Sequence, residues 1–170
     1  MTTGEYLEID GRPALRFVRL HTHPVERVWS LLSRPDGLAT WFPAGVSFDA
    51  LRVGAPVTFT FERPGDAGTG AVLAADPPHL LTLTWGGDEL RFVLEPLDDG
   101  GTRLTFTVVL DRRDTAARTG AGWEVCLDAM AAHLDGAPGD GPETSATPTW
   151  HGHYDAYVAA GVPSGAPVPG

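Results

Sequence analysis

Two His-x-His pairs, His21-Thr22-His23 and His151-Gly152-His153, carry the plainest metal-ligand chemistry of this chain. Two such pairs that met in space could bind zinc, but a finished site also takes carboxylate or thiolate partners at fixed spacing, and none is evident in the sequence. The expectation is therefore no metal and no cofactor, with the histidines serving in turns and in the tail. Cys126 is the sole cysteine, so an intramolecular disulfide is impossible and a cytoplasmic location is the default. It falls on an apolar helical stripe, as a buried, inert thiol does, and its nearest basic candidate, His133, lies two helical turns away. Asp98-Asp99 resembles a pair of acids, but Gly100-Gly101 follows directly, which is hairpin-turn chemistry. Gly65 to Gly70 lacks the Gly-Lys-Ser/Thr ending that cradles phosphate, and no serine stands in a Gly-x-Ser-x-Gly elbow. No catalytic residue is assigned, and a non-catalytic role is expected.

Composition narrows the classes further. The 170-residue chain has a formal net charge of -10, and all twelve of its cations are arginine; lysine, asparagine and glutamine are absent. A Schiff-base lysine, a phosphate-loop lysine and an Asn or Gln oxyanion donor are excluded. A nucleic acid partner is not expected, since binding to the phosphate backbone needs clustered cations. No apolar run approaches the roughly eighteen residues of a membrane span, the first residues have no signal-peptide pattern, and an acidic chain disfavours anionic membranes.

The elements that must position any site follow from periodicity. Residues 1–13 form a polar lead-in with a turn at Asp10-Gly11, and Ala14 to Leu20 alternates as a strand. Val25, Val28, Trp29 and Leu32 then recur at helical spacing, Pro35 stops that helix, and a second short helix runs toward Trp41-Phe42-Pro43. Val46 to Phe48 reads as a short strand. Several hairpin-like segments succeed it: 55–61, 69–75, 79–85, 89–97 and 102–110, with a turn over Arg63 to Gly68 between the first two. After Asp111 the period lengthens, and Ala116, Trp123, Leu127, Met130 and Leu134 define a long helix, broken or begun by Gly120 and Gly122, with Glu124, Asp128 and His133 facing water. Residues 137–149 have linker composition, 150–160 form a helical extension that packs back on the domain, and 161–170 fray.

An apolar strand face of this kind needs a cover, and the long helix supplies one. A curved sheet wrapped around a single helix tends to leave a hollow between them, a natural seat for an apolar ligand. The expected lining is Trp41, Phe59, Phe61, Leu83, Trp85, Phe92, Phe106, Trp123, Leu127 and Met130. The same large side chains can equally fill the space. Arg91 and Arg103 are expected on the outer sheet face.

The ordered set of motifs resembles a known family. Arg19 precedes Pro24-x-x-x-Val28-Trp29; then come Trp41-Phe42-Pro43, Gly54, and Pro78-His79-Leu80-Leu81-x-Leu83-x-Trp85. Gly101-Thr102-Arg103-Leu104-Thr105-Phe106 and Gly122-Trp123-x-x-x-Leu127 follow, with Trp150 and Tyr157 in the tail. Over about residues 12–160 this is similar to the START-like, or SRPBCC, helix-grip superfamily. Within it, the chain resembles bacterial homologues of the C-terminal domain of the heat-shock-protein-90 ATPase activator. The resemblance implies an α+β helix-grip fold: a curved antiparallel sheet wrapped around a long C-terminal helix, with two short helices after the first strand. The implied domain covers 12–136.

Because one fold hosts many activities, three functions stay open. The first is non-catalytic binding of a small apolar or amphipathic molecule between sheet and helix. The second is a protein-binding, cochaperone-like module, and the third a cyclase-like or hydrolytic enzyme. Monomer and homodimer are both compatible with the sequence.

Overall fold

The computed structural model describes residues 4–61, 67–138 and 146–168. The turn expected over Arg63 to Gly68 and the linker expected over 137–149 lie largely outside the described residues. Eight strands form one antiparallel sheet: β1 Glu5–Ile9, β2 Arg12–His21, β3 Gly45–Ser47, β4 Pro56–Thr60, β5 Ala67–Asp76, β6 Leu80–Trp85, β7 Asp88–Pro96 and β8 Thr102–Val109. Their spatial order is β1-β2-β8-β7-β6-β5-β4-β3, so β2, early in the chain, pairs with β8, the last strand described. A register shift between Val72 and Ala74 interrupts the β5–β6 ladder, the kind of irregularity that bends a sheet. The described residues also form four α-helices: α1 Val25–Ser33, α2 Pro35–Leu38, α3 Ala116–Leu134 and α4 Pro148–Ala159.

Local chemistry explains most of these boundaries. In α1 the buried residues are Val25, Val28, Leu31 and Leu32, a helical stripe. Arg34 ends it in an extended conformation (φ -127°, ψ 135°), as a residue before proline should, and Pro35 begins α2. Alternation holds on the strands: Val57 and Phe59 of β4, Leu81 and Leu83 of β6, and Leu90, Phe92 and Leu94 of β7 are all buried, while the residues between them are not. On the outer face Arg91 pairs with Glu89, and Arg103 with its cross-strand partner Glu95 at 3.3 Å.

Three features depart from the sequence reading. β1 adds a strand ahead of residue 12, joined to β2 by a tight turn in which Asp10 (φ 51°) and Gly11 (φ 79°) both adopt the left-handed region. That is the backbone of an Asp-Gly hairpin turn. α3 runs unbroken through Gly120 and Gly122, because tertiary packing on both sides outweighs their poor propensity. Residues 162–168 are docked rather than frayed: the Pro163 carbonyl accepts from the Ala117 amide at 2.9 Å, and the Ala166 amide donates to the Asp114 carbonyl at 3.1 Å.

Candidate functional site

Nine of the ten residues proposed from sequence pack in or against one buried cluster between the sheet and α3. Trp41, Phe59, Leu83, Phe92, Phe106, Trp123, Leu127 and Met130 belong to one buried cluster; Trp85 is partly buried against it, and Phe61 is 41% exposed. Strand register builds the inner part. Phe17, Phe106 and Phe92 lie directly opposite one another on β2, β8 and β7. Their rings stack, with centroids 5.8 Å apart for Phe17–Phe106 and 4.5 Å for Phe92–Phe106. Trp123 descends from α3 and meets Phe106 edge-on at 4.8 Å. Trp41 touches both Phe92 and Trp123, and its indole N–H donates to the Leu31 carbonyl at 2.8 Å, so its polar end serves the fold. Ring contacts thus fill much of the space where a hollow was expected.

An outer series continues to the surface. Phe42, Phe59, Trp85 and Phe61 follow one another at 5.9, 5.2 and 6.0 Å, with interplanar angles of 24°, 22° and 20°. Sequence reasoning passed over Phe42, which bridges this series to Trp123 at 5.4 Å; its place beside Trp41 was the available signal. Two glycines on β5 make room for the series. A Cβ on Gly70 would sit 1.8 Å from the Thr84 carbonyl oxygen and 3.1 Å from the Phe59 ring, while Gly68 lies opposite Phe59 and beneath the Trp85 indole.

At the outer end a polar cleft of about 240 Å³ opens, lined by Trp85, Gly87, Asp88, Asp111, Arg112, Thr115, Arg118 and Thr119. Its sheet side is the β6–β7 turn and the end of β8; its helix side is the start of α3. Arg12 fixes the turn from behind by donating to the Gly87 carbonyl at 2.9 Å. Asp88 accepts from the Asp111 amide at 2.9 Å. Burial raises the Asp88 carboxyl above its ordinary value; the hydrogen bond from the Asp111 amide opposes the rise, the Asp111 charge adds to it, and Arg12 and Arg118 pull against it. Arg112 is bonded to Asp114 at 2.6 Å, and Arg118 donates to the Pro167 carbonyl at 2.8 Å. The docked tail therefore reaches the cleft's rim. None of these polar residues was singled out from sequence, since they come from two turns and the start of α3, with no shared motif.

A second polar cluster lies on the other side of α3. Glu124 is 1% exposed, where water contact was expected, because α4 and the N-terminal segment cover that face. Its Oε1 accepts from the Tyr157 hydroxyl at 2.5 Å and the Gly4 amide at 2.9 Å, and its Oε2 from Arg19. A Cβ on Gly4 would lie 2.5 Å from the Tyr157 oxygen and 2.6 Å from the Phe17 ring. Tyr157 is pushed well above the usual phenol range, first by burial and then by Glu124. Nearby, His153 faces Asp128 at 3.8 Å. This cluster is packed by three elements and ties α4 to the domain.

The remaining candidates are chemically quiet. Burial in an apolar setting drives the Cys126 thiol far above its usual value, away from thiolate chemistry. His21 is buried, with an Nε2 that has no hydrogen-bond partner, and His23 lies 3.3 Å from Asp135. Among the described residues no group of three or more His, Cys, Asp or Glu is placed to hold a metal ion, and no helix is long and apolar enough to cross a membrane.

Comparison with known proteins places this geometry. Residues 22–135 match the family described as Activator of Hsp90 ATPase homolog 1-like protein. Among solved structures, the chain is similar to a conserved protein of unknown function from Enterococcus faecalis, at 19% identity and a TM-score of 0.74, covering 92% of this chain and 91% of that one. It is also similar to CalU16 from Micromonospora echinospora, at 23% identity and a TM-score of 0.69, covering 92% and 94%. DynU16, from the dynemicin biosynthetic locus, gives 22% identity and a TM-score of 0.66 over 77% of this chain and 50% of that one. At these identities the likeness is one of fold. No curated protein matches the chain.

Proposed function

The chain belongs to the Activator of Hsp90 ATPase homolog 1-like family, and on that premise we propose that it is a binding module whose seat for a small amphipathic molecule is the mouth between sheet and α3. The observation that carries this reading is the unbroken ring series ending at Trp85 and the exposed Phe61, where it meets the polar cleft. Inner rings in mutual contact favour a ligand at the outer end over one threaded through the core. A flat apolar group lies on the Trp85 face, and polar groups reach Asp88, Thr119 or Arg118. The cleft is smaller than the roughly 300 Å³ at which drug-sized sites begin, so the ligand is small.

Titration with indole, followed by the Trp85 indole N–H resonance, tests the seat. A saturable shift that Phe61→Ala weakens is expected; no shift at any concentration would remove the proposal. The family also supports a cochaperone-like reading, in which the acidic surface meets a basic patch on a chaperone; a pull-down with no partner and no change in chaperone ATPase rate speaks against it. The enzymatic alternative draws on Asp88, a carboxyl with a raised pKa at a cleft. It requires turnover that Asp88→Asn removes while indole binding persists.

A further inference from the structure

We infer that β1 is a pairing edge for a second copy of this chain. Two molecules meet about a two-fold axis at Leu7, and their sheets run on as one. This surface is separate from the binding seat above.

The β1–β2 ladder shows which backbone groups are spare. Ile9 and Arg12 flank the two-residue turn at Asp10-Gly11, and a turn of this kind closes with a hydrogen bond between its flanking residues. Alternation along an antiparallel ladder then makes Leu7–Ala14 and Glu5–Arg16 the next bonded pairs. It leaves Tyr6–Leu15 and Glu8–Pro13 unbonded. Pro13 fixes the phase independently, because its carbonyl accepts from the Leu110 amide at 2.8 Å, on the side away from β1. The N–H and C=O groups of Tyr6 and Glu8 therefore point outward from the last strand of the sheet. Among the described residues none of these four groups has a hydrogen-bond partner.

The two edges of the sheet are unlike. β3 has only three residues, and a short edge resists pairing. β1 has five in unbroken register, without proline or bulge. The turn beyond it stands clear, since a Cβ on Gly11 would meet nothing within 4 Å.

Charge selects both occupant and register. Three antiparallel registers set the outward residues of two β1 strands against each other. Glu8 against Glu8 opposes like charges. Tyr6 against Tyr6 sets Glu8 opposite Gly4, whose amide is already bonded to Glu124 and Tyr157. Tyr6 against Glu8 uses all four outward groups of each copy; it also sets Leu7 opposite Leu7 and Glu5 opposite Ile9, so no two carboxylates meet. Each Glu8 then arrives beside the Tyr6 of the other copy. That tyrosine's hydroxyl accepts from Arg113 at 2.9 Å, and the same Arg113 pairs with Glu8 of its own copy. One guanidinium so placed serves a carboxylate from each strand, which matters in a chain of net charge -10. A foreign strand would have to supply this match, whereas a second copy carries it by symmetry.

Sedimentation equilibrium of the full chain tests the edge. A strand pair this short buries less than the roughly 1,200 Å² of a standard interface, so a reversible dimer with a Kd on the order of 100 μM is expected. Glu8→Pro removes one outward N–H from each copy and nothing from the β1–β2 ladder, and should weaken the dimer at least about tenfold. Glu8→Ala gives up the Arg113 pair but keeps that N–H, and should weaken it less. Leu7→Cys places two thiols in an unbonded pair with Cα atoms about 4.5 Å apart, within disulfide reach, so mild oxidation should link two copies. Ile9→Cys leaves its two thiols about 13 Å apart along the strands and should not link them. A chain that stays monomeric to about 1 mM, tenfold above the expected Kd, overturns the inference. So does a dimer that Glu8→Pro weakens no more than Glu8→Ala, or crosslinking of Ile9→Cys equal to that of Leu7→Cys. If circular dichroism shows that Glu8→Pro does not fold, the two cysteine variants decide the matter alone.

Discussion

The two sides of α3 are built on opposite principles. Toward the sheet, Trp123, Leu127 and Met130 meet aromatic rings, and contact area is the stabilising currency. Toward α4, Glu124 meets Arg19, Tyr157 and Gly4, and every atom of its carboxylate has a donor. A ring cluster tolerates change, because a side chain of similar volume restores most of the dispersion and burial. A buried carboxylate does not, because each partner was desolvated on the assumption that the charge is there.

Two residues of α3 and one of α4 can sharpen that contrast. The largest loss is expected for Glu124→Gln, nearly isosteric but uncharged: it leaves Arg19 buried against a neutral amide and should lower unfolding free energy by about 3–5 kcal/mol, read from urea denaturation. Tyr157→Phe removes one donor and leaves the Gly4 amide on Glu124; about 1–3 kcal/mol is expected in the same assay. Leu127→Met, three residues from Glu124 and on the apolar side, should stay under about 1.5 kcal/mol. If Leu127→Met proved as damaging as Glu124→Gln, the distinction between the two sides would be wrong.

The smallest effect concerns His21. Burial holds its pKa below the usual 6.5, with His23 and Arg19 adding to the depression. Such a histidine takes up its proton less readily folded than unfolded. Stability is therefore complete above the unfolded value and falls as pH drops through 6.5 toward the lower folded value. His21→Leu removes a ring whose Nε2 has no partner, so it should be close to neutral at about pH 8 and should flatten the acid slope. Urea midpoints at about pH 8 and about pH 5.5 check both; an unchanged slope would exonerate His21.

How much of this was legible beforehand depended on the kind of signal. Alternation named Phe59, Leu83, Phe92 and Phe106, and helical spacing named Trp123, Leu127 and Met130, because apolar periodicity is a local property. Glu124 was misplaced for the same reason: its position on the helix is unremarkable until α4 and Gly4 arrive from distant parts of the chain to cover it. The cleft residues were invisible since Asp88, Asp111 and Arg118 acquire meaning only once the β6–β7 turn stands beside the start of α3. Phe61 alternates with the buried Phe59, yet it lies past the end of β4, where the cover runs out.

Both ends of the described chain are moored to α3, Gly4 at Glu124 and the tail at Ala117 and Arg118. Tension applied between the termini would consequently load these lateral fastenings before it reached any strand ladder. The extension should peel away under a small pull, leaving the sheet to resist a larger one, so that a single molecule stretched between its ends would lengthen in two unequal jumps.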